Sequence, residues 1–163
     1  MVTATVSRDE VLGWLAEVAD PEIPVLSITD LGIVRDVSVA GDAVTVALAP
    51  TYSGCPATEV IEQSVIDALT GRGLDVSIDR VLAPAWTTDW ITAAGREKLK
   101  SYGIAPPEAG GSKRELLYGK RTVPCPRCES TDTEAVSEFG STPCKASYRC
   151  RACLEPFEYF KCI

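Results

Sequence analysis

The residues of this 163-residue chain best suited to unusual chemistry are its seven cysteines, because it contains no histidine. Without imidazole there is no Ser-His-Asp triad, no histidine general base and no histidine-ligated metal or haem. The Glu-x-x-His pair of carboxylate-bridged di-iron helices is excluded as well. Four of the thiols form two CxxC pairs, Cys125-Pro-Arg-Cys128 and Cys150-Arg-Ala-Cys153, with residues 129–149 between them. Each pair presents two thiolates from one tight turn, and two such turns at this spacing are the pattern of a zinc ribbon. Zinc is the expected metal. Iron or an Fe–S cluster is the alternative, since four thiolates serve those equally well. A segment this short builds little core, so metal is expected to supply its folding energy.

Cys55 lies in Ala49-Pro-Thr-Tyr-Ser-Gly-Cys-Pro-Ala57, at the expected start of a helix. A thiolate there meets the positive end of the helix dipole and free backbone N–H groups, which lowers a thiol pKa. A reactive thiol and an inert cysteine at a helix start fit this position equally. Cys144 and Cys162 belong to no CxxC pair. They read as small buried hydrophobes, or as a second, weaker thiol site for transient metal or cluster handling. Asp20-Pro-Glu22-Ile-Pro24 and Ile28-Thr-Asp30-Leu-Gly-Ile33 place three carboxylates close in sequence. These could gather a cation or dock a basic partner, but local spacing favours helix-stop and turn roles.

These residues must be positioned by a fold of α+β class. Ser7-Arg-Asp-Glu10 has capping-box spacing, and Val11, Leu12, Leu15, Val18 and Ala19 mark one face of a helix that Asp20-Pro21 stops. Alternating apolar residues over 33–39 and 43–48, around Gly41-Asp42, predict a β-hairpin. A second helix is expected from Cys55-Pro56, with Val60, Ile61, Val65, Ala68 and Leu69 as its apolar face and Gly71-Arg-Gly73 ending it. A third strand over 74–82 and a helical stretch from Trp86 to about Tyr102 complete an α-β-β-α-β-α order. The expectation is a three-stranded mixed sheet with helices in residues 1–105, a Pro/Gly/Ser-rich linker over 106–120, and a four-cysteine zinc ribbon over 121–163.

Charge narrows the partners. The chain carries 16 Lys and Arg against 23 Asp and Glu, net −7. By domain, residues 1–105 hold 7 basic and 15 acidic side chains, and residues 106–163 hold 9 and 8. The ribbon therefore has no phosphate-binding surplus, and no nucleic-acid role is expected. Its apolar ending, Phe157-Glu-Tyr-Phe160, suits packing against a protein partner. The N-terminus lacks a signal-peptide pattern and no apolar run approaches the ~20 residues that span a bilayer, so a cytoplasmic location without membrane contact is expected. An odd cysteine count with CxxC spacing agrees with a reducing compartment. There is no GxxxxGK[ST] and no GxGxxG.

Asp20-Pro-Glu-Ile-Pro, Asp30-Leu-Gly and Ser53-Gly-Cys55-Pro resemble the small α/β family that includes SufT and the eukaryotic cytosolic iron–sulfur assembly factors. With Ala85-Trp-Thr-Thr-Asp-Trp90, Gly103-Ile-Ala-Pro-Pro107, Cys125-Pro-Arg-Cys128, Phe139-Gly-Ser-Thr-Pro-Cys144-Lys and Glu155-Pro-Phe-Glu-Tyr-Phe-Lys-Cys162, the whole chain is similar to the PaaD (PaaJ) family, accessory subunits of phenylacetyl-CoA ring-1,2-epoxidase. The resemblance implies a role in phenylacetate breakdown as a maturation factor for oxygenase or reductase partners. It implies iron or Fe–S contact at Cys55; because one thiol cannot hold a cluster alone, that contact is expected to be transient and shared across a homodimer. It also implies that Cys144 and Cys162 are pattern residues. Catalysis by the chain itself is not expected. The competing expectations are a structural subunit that moves no metal and a thiol oxidoreductase using Cys55.

Overall fold

The computed structural model describes residues 6–108 and 122–161. Most of the expected linker, Arg121 and Cys162 lie outside the described residues. The chain divides into two compact units, Met1–Trp86 and Thr87–Ile163.

In the first unit, α1 (Arg8–Leu15) begins with the expected capping box. Ser7 Oγ accepts the Glu10 N–H at 3.2 Å, and the Glu10 carboxylate accepts the Ser7 N–H at 2.8 Å. The helix is shorter than its apolar period suggests. After Leu15 the Glu17 and Val18 N–H groups turn back to Trp14 and Leu15, and Ile28 N–H and Leu26 C=O then bond Val18 and Asp20. Residues 18–28 thus leave the helix to close a loop, and Ala19 bridges Ser27 instead of extending the helical face.

Strand β1 (Val34–Ala40) pairs antiparallel with β2 (Ala43–Leu48) through the two-residue Gly41-Asp42 turn, where Gly41 has φ +66°. Such a turn needs a residue that tolerates positive φ. Helix α2 (Ala57–Thr70) carries the chain across to β3 (Asp75–Arg80), which pairs parallel with β2. The order β1-β2-β3 is the expected three-stranded mixed sheet. The buried stripe of α2 is Ala57, Ile61, Val65 and Leu69. Val60, expected on that face, is 51% exposed, because the true stripe repeats every four residues from Ala57. The stripe, Val11 and Leu15 of α1, and Val37, Val44, Val46 and Leu48 of the sheet supply the core.

In the second unit a short 3₁₀ turn (Thr88–Trp90) precedes α3 (Ala93–Ser101), so the expected continuous helix from Trp86 is broken. Thr92 restarts it by accepting the Gly95 N–H at 3.0 Å. Strands β4 (Ile104–Ala105), β5 (Thr133–Ser137), β6 (Lys145–Cys150) and β7 (Pro156–Phe160) form one sheet in the order β4-β7-β6-β5. Ile104 and Ala105 pair in parallel with Glu158 and Tyr159. Residues 87–105, assigned by sequence to the first domain, therefore build the unit that holds the CxxC pairs. The ribbon core comprises Ala105, Val123, Cys125, Ala146, Cys150, Phe157 and Tyr159. Phe157 and Tyr159 are buried there and Phe160 is 1% exposed, so the apolar ending read as a docking surface is interior.

One buried ion pair braces this sheet. Lys145, 4% exposed, lies 3.2 Å from Glu158, whose carboxylate also accepts the Ser141 N–H at 2.6 Å. Desolvation pushes the Glu158 carboxyl up, but the Ser141 N–H and hydroxyl and then Lys145 outweigh it and hold it below the usual carboxylate range. A depressed folded-state pKa stabilises at pH above the unfolded value and loses that contribution as pH falls through the folded value. Glu158→Gln should therefore lower the melting temperature near neutral pH and flatten its acid-side slope. An unchanged slope in melts across that range would refute the assignment.

Candidate metal centre

The two CxxC turns are wired alike. Cys125 N–H donates to Ser130 C=O and Cys150 N–H to Glu155 C=O, each at 2.9 Å. The residue after each second cysteine, Glu129 or Leu154, has φ 62° or 63°. Non-glycine residues seldom adopt this left-handed backbone, and here it closes both turns so that each cysteine pair faces inward. Cys125 Sγ lies 3.8 Å from Cys153 Sγ, and Cys128 Sγ lies 3.6 Å from Cys150 Sγ. All four sulfurs fall within 4.8 Å of one another. Sulfurs bound at about 2.3 Å around one tetrahedral ion would sit about 3.8 Å apart. The donor set fits a single thiolate-bound ion.

Without a cation the sulfurs compete for protons. The Ser130 N–H favours the Cys128 thiolate, but the Cys153 sulfur, desolvation and the Cys150 and Cys125 sulfurs outweigh it and push the thiol up to about 12. Cys150 moves the other way, to about 7, chiefly because the Cys153 N–H bonds its sulfur. That contact measures 3.5 Å. Four ionised sulfurs at these separations need a positive ion between them. The cations around the turns are engaged: Arg127 pairs with Glu155, and Arg149 and Arg151 pair with Glu134.

Residues 109–161 match the model of the PaaD zinc beta ribbon domain, and residues 8–79 match that of an iron–sulfur cluster assembly protein. A protein of Escherichia coli, named as one subunit of a 1,2-phenylacetyl-CoA epoxidase, is 52% identical over 155 residues, covering 94% of this chain and 92% of its own length. The chain belongs to the PaaD family. A Porphyromonas gingivalis protein named an Fe-S protein maturation auxiliary factor is 34% identical over 91 residues, covering 53% of this chain and 84% of its own. The crystal structure of a domain of unknown function from Bacillus anthracis shares the fold, with a TM-score of 0.53 and 23% identity over 56% of this chain and 90% of that one.

Within this PaaD-family chain the remaining candidate residues fall into separate places. Cys55 is half-buried in the loop before α2, its carbonyl accepting the Thr58 N–H at 3.2 Å and its sulfur 3.9 Å from Thr51 Oγ1. Cys144 is buried just before β6, with Thr142 Oγ1 3.0 Å from its sulfur, outside the four-sulfur group. Asp20 Oδ1 accepts the N–H groups of Glu22 and Ile23 at 2.9 and 2.8 Å. Asp30 Oδ2 accepts the Ser27 N–H at 3.1 Å. Both carboxylates thus tie their own loops, and Glu22 is half-buried. Among the described residues these three form no metal-donor group. Trp86, only a pattern residue by sequence, has a positioning role: its Nε1–H donates to Leu31 C=O at 2.8 Å and anchors the Asp30-Leu-Gly turn. Among the described residues no helix is long and apolar enough to cross a membrane.

Proposed function

We propose that this chain is a non-catalytic maturation subunit of a phenylacetyl-CoA epoxidase system, assisting iron or Fe–S assembly in an oxygenase or reductase partner. The supporting observation is a half-exposed thiol, Cys55, before α2 of a unit that matches an iron–sulfur assembly model, in a chain without histidine. Such a chain lacks the ligands of a di-iron oxygenase. Cys55 contacts the iron or cluster as cargo, and a second copy supplies further thiolate because one thiol cannot hold a cluster. The ribbon docks the client. Its own metal is zinc: the compact sulfur set suits one ion, whereas a cluster spreads thiolates over several irons, and the matching ribbon model is a zinc one. Elemental analysis should give one zinc per chain.

Serine in place of Cys55 preserves the loop, since the side chain is similar in size and half-exposed. In cells carrying Cys55→Ser, client Fe–S content and epoxidase activity should drop to the level of cells without this chain. Unchanged client loading would refute the cargo role. The name of the Escherichia coli relative, that of an epoxidase component, favours a second reading, a structural component that moves no metal. Stoichiometric retention in the purified active complex, with normal activity in the Cys55→Ser strain, would decide for it.

A further inference from the structure

The four cysteines of the ribbon are unequally exposed. Cys125 and Cys150 are 1% and 0% exposed, and both belong to the ribbon core. Cys153 is half-buried and packs against that core. Cys128 is exposed and stands outside it. The Arg127–Glu155 ion pair links the two turns.

We propose that Cys128 is a modification site for soft carbon electrophiles, and that its capture opens the metal site. This rests on the reading of the four cysteines as the ligands of one ion. Reactivity of a cysteine follows thiolate character and access. A metal-bound sulfur is thiolate already, so access sets the order among the four. With an activated alkene, the Cys128 sulfur forms a new S–C bond as the alkene π bond breaks. The adjacent carbanion then takes a proton from water. The product is a neutral thioether, a far weaker ligand than thiolate, and the site keeps three thiolates.

The test uses the full-length chain loaded with one equivalent of zinc and treated with limiting N-ethylmaleimide. Peptide mass spectrometry follows each cysteine, and a chromophoric chelator follows released zinc. Among the ribbon cysteines, Cys128 should label first, on the order of tenfold faster than Cys125 or Cys150, since those need local opening. Zinc should appear in step with the Cys128 adduct and not with the Cys55 adduct. Initial labelling at Cys153, Cys125 or Cys150, or full zinc retention after complete Cys128 labelling, would overturn the proposal while leaving the metal site intact. Failure of the chain to bind zinc would remove the metal reading and this proposal together.

Discussion

Cys150→Ser should unfold the ribbon sheet. The side chain is 0% exposed at the end of β6, its sulfur lies 3.6 Å from Cys128, and it accepts an N–H from Cys153. Structural zinc sites contribute about 10–16 kcal/mol of apparent binding energy at neutral pH, and that energy is folding energy. Losing one of four ligands removes several kcal/mol of it and leaves a hydroxyl among apolar neighbours. What remains is Ala105, Val123, Cys125, Ala146, Phe157 and Tyr159, too small a cluster to close the difference. Hydrogen exchange should show the amides of β5, β6 and β7 losing protection in the variant. Chelation of the wild-type chain should do the same, while β1, β2 and β3 keep theirs over their own core. Ribbon amides that stay protected without metal would refute the metal's structural role.

Trp86→Ala should cost the first unit about 3–5 kcal/mol, the usual penalty for deleting a buried aromatic ring. Trp86 is 3% exposed and donates to Leu31 C=O at 2.8 Å, and Leu31 is itself 1% exposed. Trp86→Phe separates the two contributions. It retains much of the ring but leaves the buried carbonyl without this donor, a loss of about 1–3 kcal/mol. Urea unfolding followed by amide signals of β1–β3 would measure both. A Trp86→Phe variant as stable as wild type would show that the indole N–H does not hold the Asp30-Leu-Gly turn.

The pairing of cysteines within each CxxC turn was legible because two-residue spacing within a turn is a local property. The β2 boundaries and the Ser7–Glu10 cap were legible for the same reason, each being set within a few residues. The end of α1 was not. Val18 and Ala19 continue its apolar period, but backbone groups of Leu26 and Ile28 compete for the residues after Leu15. Strand β4 has two residues, too few for any period, and its partner lies more than fifty positions away. Glu129 and Leu154 carry no sign of positive φ, since glycine, the usual signal, is absent at both. The separation of Cys144 from the other thiols depends on where β6 begins. The loop roles of Asp20 and Asp30 follow from hydrogen bonds that spacing made plausible and could not decide between.

The parallel pairing of Ile104–Ala105 with Glu158–Tyr159 bears on how this chain can be dissected. A fragment cut at the edge of the ribbon family match, residue 109, would omit a strand of its own sheet and a member of its core. Its β7 would present a bare edge, open to pairing with another molecule. A portable version of the ribbon therefore begins before α3, at the Thr87 boundary of the second unit.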